Sequence, residues 1–189
     1  MRNFTCHSGG AVGADQCFEE IALQYNCQVI NYSYRTLHHK IINKYELTNE
    51  EFLEGCKAVE VVAEQLKRYR YKPYINLLAR NFFQTKFAKQ LFAVGILRSD
   101  QNGVLVELEG GTGWSVQMAI NMKREIYVFD QNRCKWFAWS YTKKQFEEYE
   151  NPVISQEHFA GIGTRKINIF GIQAIRELFE RSFNSKKNE

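Results

Sequence analysis

The sequence predicts an α/β protein: one domain built on a mostly parallel sheet with helices on both faces. Two observations carry this expectation. Apolar runs of strand length alternate with longer segments of helical periodicity, and no repeat, low-complexity tract or linker divides the 189 residues. Residues 1–183 are read as the domain and 184–189 as a flexible C-terminal tail.

The elements follow in order. "NFTCHS" reads as a strand, "DQCFEEIALQY" as a helix with Cys17, Phe18, Ile21 and Ala22 on one face, and "CQVINYSY" as a second strand. "TNEEFLEGCKAVEVVAEQL" is a helix that opens with Thr48 as N-cap and Glu51 three residues on, the spacing of a capping box. Beyond Pro73, "YINLLARNFFQTKFAKQ" continues as a helix and "LFAVGIL" as a buried strand. "GVLVELEGG" adds a strand, "TGWSVQMAINMK" a helix and "REIYVFDQ" a strand. "CKWFAWS" alternates like an outer strand or hairpin arm. "HFAGIGTRKI" is a strand and loop, and "NIFGIQAIRELFERSF" a helix that buries Ile172, Ile175, Leu178 and Phe179.

Composition narrows the function. With 44% hydrophobic and 14% aromatic residues and two prolines, the chain is an ordered globular protein. A net charge of +4 suits an anionic ligand without requiring one. The basic clusters "KRYRYK" (67 to 72) and "KK" near the C-terminus are small and read as solvated faces, which disfavours nucleic acid as a partner. Five cysteines without a C-x-x-C spacing, together with four histidines, form no recognisable metal site and point to a reducing compartment; no cofactor is expected. No stretch has the length of a membrane span and the first residues carry no apolar leader run, so a cytoplasmic location is expected.

Three glycine-containing loops each follow an expected strand and precede an expected helix. They are "SGGAVGAD" with Ser8, Gly9, Gly10, Gly13 and Asp15, "EGGTGWS" with Gly110, Gly111, Thr112 and Gly113, and "GIGTR" with Gly161, Gly163, Thr164 and Arg165. In a parallel sheet such loops emerge at the carboxyl edge, where helix N-termini offer free N–H groups to a phosphate. None is a P-loop and none has the full G-x-G-x-x-G fingerprint, which argues against a simple NTPase or dehydrogenase.

"SGGAVGAD", "LLARNFFQTKFAKQLFAVG", "EGGTGWSVQMA", "YVFDQ" and "FAGIGTR" resemble the SLOG superfamily, the Rossmann-like group that includes the Lonely Guy phosphoribohydrolases and the DNA-processing protein A domain. More narrowly they resemble uncharacterised phage and bacterial proteins that carry these strings in this order. In many relatives the GIG-[ST]-R element precedes the first glycine loop; here it stands at 161 to 165, which implies a circularly permuted order with the last strand and helix completing the sheet beside the first. The resemblance places Arg80 at the catalytic arginine, implies a homodimer or higher homo-oligomer, and puts Gln117 where the catalytic glutamate would stand and Trp114 at the loop threonine. An amide cannot exchange a proton as a carboxylate does, so Asp15 or Glu109 becomes the candidate acid or base. Their plainer roles are a helix N-cap for Asp15 and a strand-end contact for Glu109.

Other residues carry paired readings. Arg80, Asn81 and Gln84 share a helical face and are candidates to clamp phosphate, ribose or base, or form an ordinary polar face. Arg165 offers a bidentate phosphate contact or a structural salt bridge, Trp114 a platform for a base or core packing, and Asp130 a ribose contact or a turn. The aromatic stretches "NFFQTKF" and "WFAWSY" suit an interface or the interior equally. The leading expectation is a protein that binds a nucleotide or nucleotide-derived ligand as a sensor or sequestering protein. The alternatives are a hydrolase that cleaves an N-glycosidic bond, and an interaction module with no small ligand.

Overall fold

The computed structural model describes residues 3–35 and 43–184. Residues 185–189, which include the terminal "KK" and most of the expected tail, lie outside the described residues; Asn184 caps the last helix. In chain order the first half contains β1 (Thr5–Ser8), α1 (Ala14–Gln24), β2 (Gln28–Ser33), β3 (Lys44–Glu46), α2 (Asn49–Leu66), a short 3-10 turn (Lys72–Tyr74) and α3 (Ile75–Lys86). The second half adds β4 (Gln90–Gly95), β5 (Leu97–Ser99), β6 (Leu105–Leu108), α4 (Thr112–Asn121), β7 (Glu125–Asp130), β8 (Lys135–Ser140), β9 (Gln145–Glu148), β10 (His158–Gly163) and α5 (Ile169–Phe183).

The main sheet has the order β3-β2-β1-β10-β4-β7-β8-β9. Six strands from β3 to β7 are parallel, and β8 and β9 extend the edge as an antiparallel meander. The α/β architecture with a mostly parallel sheet is therefore the one expected from the alternation of elements.

Successive side chains of the buried central strands alternate between two cores. On β4, Phe92 and Val94 join the core beneath α1 and α5, while Leu91 and Ala93 face the opposite core beneath α4. The first core contains Phe18, Phe159, Ile175, Leu178 and Phe179, and each such side chain, once buried, contributes about 2 kcal/mol of transfer free energy. Gly161 on β10 is fixed by this packing, because a Cβ there would stand 2.5 Å from the Phe18 ring. Across the sheet, α2, α3 and α4 pack together through Val59, Val62, Leu78, Trp114 and Met118.

Local sequence signals explain the helix ends. The capping box at α2 is complete: the Glu51 N–H donates to Thr48 Oγ1 at 3.2 Å and the Thr48 N–H to Glu51 Oε2 at 2.8 Å. Lys67 ends this helix in the left-handed conformation with φ 53°. One expectation is corrected: "GVLVELEGG" does not enter the main sheet. Its strand, β6, pairs antiparallel with β5 alone, because the chain leaving β4 turns back on itself before α4. Of the aromatic stretches, Phe83, Trp136 and Phe137 lie in the interior and Phe87 is 46% exposed.

The last strand occupies the middle of the sheet. β10 pairs with β1 on one side and β4 on the other, so within the main sheet it joins the strands β1 to β3 to the strands β4 and β7 to β9. A variant ending at residue 157 is expected to show no cooperative thermal transition by circular dichroism; a sharp transition near that of the full chain would contradict this topology.

Candidate functional site

Successive strands run from β1 toward β3 in one direction and from β4 toward β7 in the other, so the winding reverses between β1 and β4, where β10 is inserted. Open α/β sheets hold ligands at the carboxyl ends of strands at such a reversal. A cavity of about 940 Å³ opens there, between Gly95 and Ile96 at the end of β4, Ile162 to Lys166 at the end of β10, Ala11 of the first loop, Asp15 in the first turn of α1, and residues of α3 and α4. Lys67, Arg68, Arg70, Arg80, Arg165 and Lys166 line it against two carboxylates, Asp15 and Glu109.

Arg80 anchors the floor. It is 1% exposed, and its Nη1 donates to the carbonyls of Gly9 and, at 2.9 Å, Tyr32. Burial pushes the guanidinium pKa down, and the carboxylates of Asp15 and Glu19 hold it up. A buried charge requires such partners. Arg80 Nε and Gln84 Nε2 meet no acceptor among the described residues, although both side chains line the cavity and Gln84 is 2% exposed. Asn81 completes this buried polar face.

The three glycine loops differ in what they leave open. In the first, the Gly10 N–H donates to Glu19 Oε1 at 2.9 Å, and the Ala14 N–H donates to the Thr164 carbonyl at 3.0 Å. Gly9 is packed so tightly that a Cβ would overlap Arg80 and Gln84, and Gly13, at φ 107°, lies against the backbone of Thr164 and Arg165. Its glycines thus serve close packing, with Ser8 buried at the end of β1. The third loop is tied to the first, since Asp15 Oδ1 accepts from the Gly163 N–H at 2.8 Å, and Thr164 Oγ1 accepts from the Lys166 N–H. Asp15 is therefore not the N-cap of its helix: Gly13 holds that position, and the carboxylate is spent on the neighbouring strand.

The second loop is open. Gly111 occupies the N-cap of α4, no side chain caps that helix, and a Cβ on Gly110 or Gly111 would meet nothing within 4 Å. The first turn of α4, which meets the cavity at Gly111 and Thr112, therefore presents a positive helix end to it, with no side-chain cap on its amides among the described residues. Arg165 and Lys166, exposed across the opening, form no ion pair among the described residues.

Several expected site residues lie elsewhere or act otherwise. Asp130 is fully buried and shapes the turn after β7, accepting from the N–H groups of Leu97, Asn132 and Arg133 and pairing with the Arg133 side chain at 2.7 Å. Gln117 donates to Asn121 along α4 and is not part of the cavity wall. Gly161 lies under α1, away from the cavity. Trp114 touches the cavity but is 6% exposed and packed against Tyr71, with ring centroids 5.8 Å apart. Glu109 lines the opening and pairs with Arg98 at 2.7 Å.

Sequence reasoning missed two features. Glu19 sits mid-helix, a position that reads as solvated, yet it holds the first loop; burial raises its pKa, and hydrogen bonds from Asn31 and Gly10 oppose the rise. The cluster "KRYRYK" (67 to 72) reads as a solvated face, yet Lys67 to Tyr71, with Tyr74 beyond them, form one wall of the cavity; the alternation of cations and tyrosines is the available signal. Comparison with protein-family models, curated proteins and solved structures returns no match.

Burial holds the Asp15 pKa near 6 against the pull of Arg80 and the Gly163 N–H. The unfolded carboxyl ionises near 3.8, so between these values the folded state keeps a proton that the unfolded state has lost, and stability falls as pH rises. Relative to Asp15→Asn, whose amide oxygen still accepts from Gly163, the wild type is expected to lose about 2 kcal/mol between pH 4 and pH 7. Urea unfolding of both proteins across that range checks this; a difference that does not change with pH would contradict it.

Proposed function

We propose that the protein binds a nucleotide or nucleotide-derived ligand, with its phosphate at the open N-terminus of α4 and the cations Arg165 and Lys166 closing over it. The observation that carries this reading is the uncapped α4 terminus facing a cavity in which cations outnumber carboxylates. Buried donors on Arg80 and Gln84 without acceptors support it, because a ligand oxygen would satisfy them. An open cavity of about 940 Å³ also favours a small ligand over an interaction module that uses the fold alone. The resemblance to the SLOG superfamily agrees with this ligand class and, with it, a sensing or sequestering role. All five cysteines are free and no helix among the described residues is long and apolar enough to cross a membrane, which supports placing the protein in the cytoplasm.

The second reading is an N-glycosidic hydrolase. Asp15 favours it, as a buried carboxyl on the cavity wall with a pKa of about 6, within reach of general acid work near neutral pH. Glu109 is held by Arg98 at the opening and Asp15 by the Gly163 N–H on the wall; of these two carboxyls, the buried Asp15 is the one this reading assigns to that chemistry.

Arg165→Ala and Lys166→Ala remove exposed side chains with no structural ion pair, so thermal stability should hold. Each lost charge-assisted contact is worth about 1.5–3 kcal/mol, so AMP or ADP-ribose affinity measured by calorimetry should drop about tenfold to hundredfold. Unaltered affinity in both variants would remove the phosphate from this position. Mass spectrometry of the same mixtures separates the two readings, since binding returns the ligand intact and hydrolysis releases free base.

A further inference from the structure

We infer that the strap from Lys67 to Tyr74 is a stacking platform that selects ligands carrying a planar base. This rests on the nucleotide reading and assigns the base to a wall of its own, opposite Arg165 and Lys166. The alternation Lys67, Arg68, Tyr69, Arg70, Tyr71, Lys72 places cations and aromatic rings side by side, and Tyr69 and Tyr74 line the cavity while remaining 60% and 62% exposed. Aromatic rings left so open beside a cavity are surfaces a second ring can cover.

The strap is held in place before any ligand arrives. Arg68 donates to the Gly110 carbonyl at 2.8 Å and pairs with Glu107, which ties the strap to the loop that opens α4. Tyr71 packs on Trp114, so the inner ring of the strap is part of the core while the outer rings are not. Arg70, exposed and lining the cavity, has no ion pair among the described residues. It can stack on a base or meet a second phosphate. Size points the same way, because the cavity is near the upper end of the roughly 300–1,000 Å³ of small-molecule sites and has room for more than a sugar phosphate.

The test compares AMP with ribose 5-phosphate, which shares the phosphate and sugar but has no base. Calorimetry on the full chain should give AMP an advantage of about tenfold to hundredfold, as expected for a stacked base. Tyr69→Ala with Tyr74→Ala should collapse that advantage toward unity, and Tyr69→Phe with Tyr74→Phe should retain it, since the ring and not the hydroxyl is required. Equal binding of the two compounds by the wild type, or a preference that survives the alanine pair, overturns the platform and leaves the phosphate reading standing. Failure of the wild type to bind either compound overturns the phosphate reading and the platform together. A single-stranded hexanucleotide that binds more tightly than AMP, and loses that advantage in the alanine pair, reassigns the strap to nucleic acid and overturns the small-ligand proposal.

Discussion

The guanidinium of Arg80 joins the sheet to the cavity. Through Nη1 it binds the carbonyls of Gly9 and Tyr32 and so fastens α3 to the ends of β1 and β2. A cation this deeply buried needs counter-charge and acceptors, and the first loop is shaped to supply them. Gly9 has no side chain because Arg80 and Gln84 fill the space, Gly10 turns its N–H onto Glu19, and Asp15 reaches across to Gly163. The glycines of "HSGGAVGAD" thus let backbone approach a buried arginine and a neighbouring strand. The Gly10 amide is used inside the protein, on Glu19.

In the proposed reading the anion is bound by a different part of the chain. The hairpin of β5 and β6 carries the chain away from β4 and returns it at Gly110, so α4 begins at the same edge as the first and third loops. Gly113 fits there because a Cβ would collide with the Leu108 carbonyl, and Arg68 holds Gly110 from the other side. The result is a helix terminus with no side-chain cap, faced by cations that belong to other loops. In the proposed reading the exposed cations Arg165 and Lys166, which form no ion pair among the described residues, serve the ligand and not the fold.

Much of the fold was legible in the sequence, and the reasons are local. The pair Thr48 and Glu51 announces a helix start through chemistry confined to four residues, and both bonds are present. The buried run "LFAVGIL" announces a central strand because both faces of β4 are covered. What was hidden depends on distant partners. The alternation in "GVLVELEGG" states that a strand forms but not that β5 is its sole neighbour. Glu19 and Asp130 carry ordinary surface residue types, and only the approach of Gly10 and of Leu97 gives them their roles. The cluster at 67 to 72 reads as a charged surface because its sequence does not reveal that Gly110 and Trp114 pack against it beside a cavity.

The central claim is that the α4 terminus, and not the first glycine loop, receives the phosphate. A crystal structure of the protein with AMP tests it most directly. The account predicts phosphate oxygens within hydrogen-bond distance of the Thr112 amide and of the Arg165 guanidinium. Phosphate density on the amides of residues 9 to 13, or AMP bound outside the cavity, would contradict it.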